Sequence, residues 1–199
     1  MSFRKEKKYR LSISDMAQFQ NGLLKLGMKE LYPCRIIKSC YFDNDHLTFF
    51  QDSEEGVLPR KKVRIRWYND SLKFTKETKI SSIEGRYKFA KVKEELTSVN
   101  DVFKSNYFDQ SYGRLTPSVM VSYERQYFIL NSLRITFDRN IYYRYLKSNF
   151  FKVFRDKECV MEVKASIECE DDFIYNLIPH PTARFSKYSR GMLFFKKML

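Results

Sequence analysis

The sequence predicts an α+β protein in which an antiparallel β-sheet closes on itself and carries helices on its outside. Residues 61–68, KKVRIRWY, alternate strictly, so that basic side chains share one face of an extended strand and apolar side chains share the other. The basic residues of this strand are Lys62, Arg64 and Arg66. Charged faces of this kind recur on strand after strand, and a closed sheet gathers them on its inside. Such an interior is suited to a polyanion.

Length and composition narrow the class of protein. A chain of 199 residues supports one substantial core, so a single domain over residues 1–199 is expected. Hydrophobic residues at 43% and aromatic residues at 17% exclude a disordered chain. The net charge of +13 predicts an anionic partner, which composition leaves open between nucleic acid, an anionic membrane surface and phosphate-rich molecules.

The N-terminal segment and the cysteines bear on localisation. Residues 2–10 are basic without an apolar stretch behind them, which is unlike a signal peptide. The sequence also has no uncharged run near the roughly 20 residues that span a bilayer. We therefore expect a cytoplasmic protein with no membrane segment. The four cysteines lack CxxC spacing and are predicted to be reduced structural residues.

Strands and helices are predicted along the whole chain. In the first half we expect a helix capped by Ser14 that stops at Gly27, and an exposed loop over residues 51–59. In the second half, Asn131 and Ser132 form the turn of a hairpin, and Ser186 caps the last helix at a position that favours an oxyanion. The predicted strands are 4–11, 35–43, 61–68, 72–79, 86–89, 119–130, 133–138 and 158–165, and the other helices are 100–107 and 171–178.

Arg125 is the residue that argues most strongly against an ordinary exposed sheet. It shares a strand face with Val121 and Tyr123, so its guanidinium lies on a mostly apolar surface. Removing a charge from water costs several kcal/mol per ion unless the charge is paired. Either Asp138 and Glu6 pair such groups or an anionic ligand does. Acids on the predicted inner faces are too few to pair all the bases.

Eight short motifs occur in a fixed order and together resemble a known family. They are R-x-E-x-K-Y from Arg4, YFD from Tyr41, RIRWY from Arg64, E-x-K from Glu77, YxR from Tyr123, RITFD from Arg134, MEVK from Met161 and FSKY from Phe185. Over essentially the whole chain they resemble the VTC domain, the catalytic domain of vacuolar transporter chaperone polyphosphate polymerases and a branch of the triphosphate tunnel metalloenzymes. The sequence has no SPX domain or membrane helix, and so it resembles the short free-standing bacterial versions.

The resemblance implies an eight-stranded antiparallel tunnel that holds a triphosphate or polyphosphate chain, with a divalent cation, Mn²⁺ or Mg²⁺, on a glutamate. Carried over by motif, Glu162 is the metal ligand. The implied phosphate ligands are Lys8, Arg64, Arg66, Lys79, Lys88, Tyr123, Arg125, Arg134, Lys164, Arg184, Ser186 and Lys187. The residues with implied catalytic roles are Arg64, Arg66, Arg125, Arg134 and Lys164.

Three functions are compatible with these residues. The leading interpretation is a metal-dependent polyphosphate polymerase, a phosphotransferase that moves the γ-phosphate of ATP onto a growing chain. An alternative is a hydrolase of tripolyphosphate or of a nucleoside or RNA 5′-triphosphate. The third is a non-catalytic binder of polyphosphate or nucleic acid. A nucleic-acid site would interleave aromatics with bases for stacking, whereas the aromatics here mostly fall opposite the charged faces, which disfavours nucleic acid.

Overall fold

The computed structural model of the protein describes residues 4–147 and 152–196, and within them the chain forms ten strands and five helices. The strands are β1 (Arg4–Leu11), β2 (Lys29–Asp43), β3 (Arg60–Tyr68), β4 (Thr75–Ser81), β5 (Arg86–Val92), β6 (Tyr107–Asp109), β7 (Gly113–Leu130), β8 (Leu133–Tyr145), β9 (Val153–Arg155) and β10 (Cys159–Ser166). The helices are α1 (Ile13–Lys25), α2 (Thr48–Glu55), α3 (Val99–Lys104), α4 (Asp171–Leu177) and α5 (Lys187–Lys196).

The strands belong to an antiparallel sheet, which confirms the predicted α+β class. Hydrogen bonds connect them in the order β1-β10-β8-β7-β2-β3-β4-β5, and the short strands β6 and β9 pair with β7 and β8. The main path therefore has eight strands among the described residues. Closure of this path into a barrel, which requires β5 to meet β1, stays a prediction. No helix in the described ranges is long and apolar enough to cross a membrane.

The chain divides into two compact units. Unit 1 comprises the described residues of Met1–Ile36, Tyr123–Ile141 and Arg155–Phe185, and unit 2 those of Ile37–Ser122, Tyr142–Phe154 and Ser186–Leu199. The single domain expected from chain length stays a prediction. The long strands β2, β7 and β8 each contribute residues to both units.

Unit 1 has a charged and an apolar sheet face because side chains alternate along each strand. On one face, residues such as Tyr9, Met161 and Phe137 are at most 1% exposed and pack with α1 residues into a core. The intervening residues include the predicted ligands of β1, β8 and β10. Antiparallel pairing sets Lys8 opposite Glu162, and Lys164 opposite Arg134.

Unit 2 repeats this arrangement on β2 to β5. Val63, Ile65 and Trp67 of β3 are nearly inaccessible to solvent, and Trp67 makes an edge contact with Phe74 at 5.5 Å between ring centroids. The alternate residues of β3 are the predicted arginines. Pairing sets Arg64 between Tyr41 and Glu77 on the neighbouring strands.

Two local predictions in the first half of the chain were wrong. Ser12, not Ser14, caps α1, because its hydroxyl accepts a hydrogen bond from the backbone N–H of Asp15 while the Asp15 carboxylate accepts from the backbone of Ser12. Part of the predicted loop at residues 51–59 is helical, since α2 extends to Glu55. Helix α2 forms because Phe49 and Phe50 are buried and donate their backbone N–H groups to Asp43.

In the second half of the chain, the hairpin and the last helix follow the predictions, whereas β7 and β8 are longer than predicted and β6 and β9 were not predicted. Hairpin β7–β8 turns at Asn131, whose φ of 51° is tolerated by asparagine in such turns. Helix α3 ends at Lys104, short of the predicted residue 107, because Tyr107 belongs to strand β6, which we did not predict. The final predicted helix, which extends to Met198, corresponds to α5, and residues 197 and 198 of that prediction lie outside the described residues.

Helix α5 packs closely on the sheet of unit 2 at Gly191. A Cβ atom at this position would lie 2.7 Å from Cδ1 of Tyr143 and 3.2 Å from a methyl group of Val119. Tyr143 and Val119 are both 0% exposed, so neither can turn aside. The absence of a side chain at Gly191 therefore sets the distance between α5 and the strands.

Candidate functional site

In unit 2, one buried carboxylate holds three cations. Glu77 is 3% exposed, and its Oε2 accepts from Nε of Arg64 at 2.7 Å and lies 3.9 Å from Nη1 of Arg66. Its other oxygen, Oε1, lies 2.6 Å from Nζ of Lys88. Burial alone would raise the pKa of Glu77, but the charges of Arg64 and Arg66 outweigh it and lower the pKa to about 2. The carboxylate is ionised at neutral pH, and three cations share its single charge.

Two side chains of β2 complete the Glu77 cluster, which we define as Ser39, Tyr41, Arg64, Arg66, Glu77 and Lys88. Nη1 of Arg64 donates to the Tyr41 hydroxyl at 2.9 Å, and Nε of Arg66 donates to the Ser39 hydroxyl at 3.1 Å. Burial opposes ionisation of Tyr41, but Arg64 and Arg66 lower its pKa to about 8. This cluster therefore brings three cations to one carboxylate and favours the ionised form of Tyr41.

The start of α5 is fixed beside the same strands. The Tyr188 hydroxyl donates to the carboxylate of Asp43, and the Tyr188 ring stacks on Tyr41 with centroids 5.1 Å apart. Ahead of α5, the Ser186 hydroxyl accepts from Nζ of Lys62 at 2.8 Å and from the backbone N–H of Ser189 at 3.3 Å. Ser186 thus caps α5 as predicted, and a basic side chain of β3 already reaches this helix start.

Two further predicted ligands of unit 2 are the exposed Lys79 and the half-buried Lys187. Lys79 lies on β4 two residues beyond Glu77, and it pairs in register with Lys62 and with Lys88 on the flanking strands. Three lysines therefore neighbour one another across three strands. Lys187 is the first residue of α5 and is half-buried.

In unit 1, Arg125 is held by a bidentate ion pair. Its Nε and Nη2 donate to the two oxygens of Asp138 at 2.5 and 2.6 Å. Burial disfavours the charged guanidinium, but Asp138 outweighs it and raises the pKa of Arg125 well above its usual range. Asp138 thus pairs with Arg125, which is one of the two ways of neutralising this charge that we considered from the sequence. The pair fixes the direction of the guanidinium.

Glu162 lies next to this pair and is 8% exposed. Its Oε1 is 2.8 Å from Nζ of Lys164, and its Oε2 is 4.0 Å from Nη2 of Arg125. Burial would raise the pKa of Glu162, but Arg125 and Lys164 outweigh it and hold the pKa well below its usual range. We define the Glu162 cluster as Glu6, Lys8, Arg125, Arg134, Thr136, Asp138, Glu162 and Lys164.

The other members of the Glu162 cluster come from β1 and β8. Nζ of Lys8 lies 2.9 Å from Oε1 of Glu6 and donates to the carbonyl of Phe185 at 3.3 Å. Burial and the charge of Glu162 would raise the pKa of Glu6, but Lys8 outweighs them and lowers it. Arg134 is half-buried and forms no ion pair with any residue that the structure describes.

Two further predicted ligands of unit 1, Tyr123 and Arg184, are not members of the Glu162 cluster. Tyr123 is 3% exposed, and the guanidinium of Arg125 lies 5.3 Å from the centre of its ring. Arg184 is exposed, next to Phe185, whose carbonyl contacts Lys8. Arg184 is thus next in sequence to a residue that contacts Lys8, but it has no contact of its own with the Glu162 cluster among the described residues.

With this geometry established, the comparisons with known proteins identify the family. The model of the VTC domain matches residues 3–196. The chain belongs to the VTC domain family. This confirms the resemblance inferred from the eight motifs. Among curated proteins, the search finds no match.

Solved structures share the fold of this VTC domain at low sequence identity. A conserved hypothetical protein from Pyrococcus furiosus is 12% identical, with a TM-score of 0.58 over 94% of this chain and 99% of that one. A candidate adenylate cyclase from Bacillus halodurans is 12% identical, with a TM-score of 0.59 over 93% and 94%. A candidate adenylyl cyclase from Hippeastrum, described as having a dominant triphosphatase activity, is 13% identical, with a TM-score of 0.53 over 96% of each chain. At such identity these likenesses show the fold alone.

The VTC family generally implies a divalent metal ion, and the carboxylate of Glu162 is the type of oxygen ligand that such an ion binds. The Glu162 carboxylate is held ionised, as a metal ligand must be. No group of three or more His, Cys, Asp or Glu side chains suited to a metal occurs within the described ranges. Mg²⁺ commonly binds through one or two carboxylates, substrate phosphates and water, so a single glutamate is sufficient.

Sequence reasoning placed most of the basic residues on the correct strand faces and missed several of their partners. Ser39 was missed, and no role was predicted for Tyr41, Lys62, Thr136 and Tyr188, although these four lie in the quoted motifs or on the basic face of β3. Ser39 and Tyr41 alternate along β2 directly opposite Arg66 and Arg64, so strand parity could have located them once the pairing of β2 with β3 was known.

Proposed function

We propose that this VTC domain is a metal-dependent polyphosphate polymerase that transfers the γ-phosphate of ATP to a growing polyphosphate chain. The closed eight-stranded tunnel and the roles of the site residues are part of this proposal. The Glu77 cluster is the main support, because the buried carboxylate of Glu77 contacts three cations, of which Arg64 and Arg66 are buried and Lys88 is half exposed. Cations gathered in this way are suited to binding an anionic substrate.

Phosphate chains match this charge pattern better than other anions do. Arginine guanidinium groups bind phosphate oxygens in a bidentate fork, and lysines add point charge. Arg64, Arg66 and Arg125 are oriented by hydrogen bonds to Tyr41, Ser39 and Asp138. Side chains held by the protein itself lose little rotamer freedom when a substrate binds, which lowers the entropic cost of binding.

The transfer step requires alignment and charge neutralisation more than covalent catalysis. Arg125, Arg134 and Lys164 would bind the transferring phosphoryl group and stabilise the charge that develops on its oxygens. Glu162 would hold Mn²⁺ or Mg²⁺, and the bound ion would neutralise further phosphate charge. Ser186 and Lys187, at the start of α5, would hold phosphates further along the chain.

A triphosphate hydrolase is the second candidate, and two observations favour it. The related structure from Hippeastrum is described as having a dominant triphosphatase activity. Four carboxylates, those of Glu6, Glu77, Asp138 and Glu162, also lie among the basic residues of the two clusters. A hydrolase would use such carboxylates to position water.

A product analysis separates the candidates. Purified protein is incubated with γ-labelled ATP and Mn²⁺ or Mg²⁺, and long polymer is resolved from free phosphate. Polymer as the main labelled product supports the polymerase, whereas free phosphate alone overturns it in favour of hydrolysis. Arg64→Ala is expected to abolish either product. Arg114→Ala is the matched control, because Arg114 is exposed and lies outside both clusters.

A further inference from the structure

Thr136 has a buried hydroxyl with no hydrogen-bond partner among the described residues. The residue is 6% exposed and lies in the middle of β8. A buried polar group without a partner destabilises the folded state, and folded proteins contain few of them. Such a group in a charged cluster is a candidate for contact with a ligand.

The neighbours of Thr136 on its face of the sheet are charged, and the two carboxylates among them are in ion pairs. Glu162 lies directly opposite on β10 and is paired with Lys164. Asp138, two residues along the same strand face, directs its oxygens at Arg125. Arg134, two residues in the other direction, is a cation. Within the described part of the chain, neither carboxylate accepts a hydrogen bond from the Thr136 hydroxyl.

We infer that Thr136 is a further substrate-binding residue, whose hydroxyl donates a hydrogen bond to a phosphate oxygen of the bound substrate. This inference rests on the proposed function, because it requires a phosphate in the Glu162 cluster. A phosphate oxygen accepts from the hydroxyl and from the adjacent Arg134 and Lys164 at the same time. A metal ion would occupy an oxygen lone pair of Thr136 and leave the hydroxyl hydrogen without an acceptor, so phosphate is the better match.

The test compares Thr136→Val with Thr136→Ser. Valine has nearly the shape of threonine and lacks only the hydroxyl, whereas serine retains it. Calorimetric titration with tripolyphosphate in EDTA measures phosphate binding without a metal ion. Thr136→Val is expected to weaken binding by about tenfold to a hundredfold, as for the loss of a hydrogen bond to a charged group, and Thr136→Ser is expected to bind like wild type.

Urea unfolding of the ligand-free variants supplies the readout that a structural role would change. Because the hydroxyl has no partner in the protein, Thr136→Val is expected to be as stable as wild type or more stable. Thr78→Val is the control, since Thr78 lies on the face of β4 opposite to Glu77. Its binding of tripolyphosphate is expected to be unchanged.

The outcomes are distinguishable. If wild type fails to bind tripolyphosphate, the proposed function itself fails. If wild type binds and Arg134→Ala weakens binding while Thr136→Val does not, only the role of Thr136 is refuted. The role of Thr136 is also refuted if Thr136→Val is less stable than wild type but binds tripolyphosphate normally. It is refuted as well if Thr136→Val loses Mn²⁺ binding in phosphate-free buffer but still binds tripolyphosphate.

Discussion

Replacing Glu77 with glutamine tests whether one carboxylate stabilises the positive cluster of unit 2. The substitution keeps the shape of the side chain and removes the charge shared by Arg64, Arg66 and Lys88. The fall of the Glu77 pKa from 4.5 to about 2 corresponds to about 3 kcal/mol of stability at pH 7, since one pH unit equals about 1.4 kcal/mol. Removing one partner of a buried ion pair costs a similar amount, about 3–5 kcal/mol.

The lowered pKa of Glu77 predicts the direction in which the stability difference between wild type and Glu77→Gln changes with pH. Glu77 has a depressed pKa in the folded protein, so its contribution is complete above pH 4.5 and is lost as the pH falls through about 2. Urea unfolding at low salt should show Glu77→Gln less stable than wild type by about 3 kcal/mol at pH 7, and the gap should narrow below pH 4.5. Millimolar tripolyphosphate should stabilise the variant more than wild type, because phosphate would supply the missing negative charge.

This test has a control variant and an outcome that would contradict the prediction. Glu54→Gln changes an exposed glutamate of α2 and should leave stability nearly unchanged. Equal stability of Glu77→Gln and wild type from pH 3 to 7 would refute the electrostatic account. It would mean that the cations of the cluster do not need an anion in the folded protein.

Three further variants are informative. Arg64 and Arg66 lower the pKa of Tyr41 from 10 to about 8. The free energy of unfolding of wild type should therefore rise relative to that of Tyr41→Phe by up to about 3 kcal/mol between pH 8 and pH 10. A difference in urea midpoint that stays constant over this range would contradict the prediction. Tyr188→Phe should lose about 1–3 kcal/mol in urea unfolding because it removes a donor to buried Asp43; an unchanged midpoint would argue against that bond. Glu162→Gln should largely abolish turnover while metal-free tripolyphosphate binding stays equal or tightens, and near-normal turnover at saturating metal would disprove the metal role.

Alternation of residue types was enough to predict much of the fold and the basic faces. The alternating pattern around Arg64 correctly predicted which side chains share a face, because successive side chains of a strand point to opposite faces of the sheet. Strand length was harder to predict. Strand β2 begins at Lys29, six residues before the predicted start, and its first half is mostly exposed and does not alternate between apolar and polar residues.

Contacts between distant residues account for most of what the sequence could not predict. Helix α2 depends on Asp43, which accepts hydrogen bonds from the backbone N–H groups of Phe49 and Phe50 and from Tyr188, 145 residues away. The sharing of Glu77 among three cations likewise depends on the register of three strands. Sequence showed that acids were scarcer than bases, and only the pairing of strands shows which acid serves which base.

The missing side chain at Gly191 couples two positions that are far apart in the sequence. Any larger residue at position 191 would collide with the ring of Tyr143 unless that ring were replaced by something smaller. An alanine at 191 should therefore be tolerated only together with a reduction at 143. In a library in which both positions vary, the allowed combinations should be inversely related in volume, which would make this pair a covariation marker for the placement of α5.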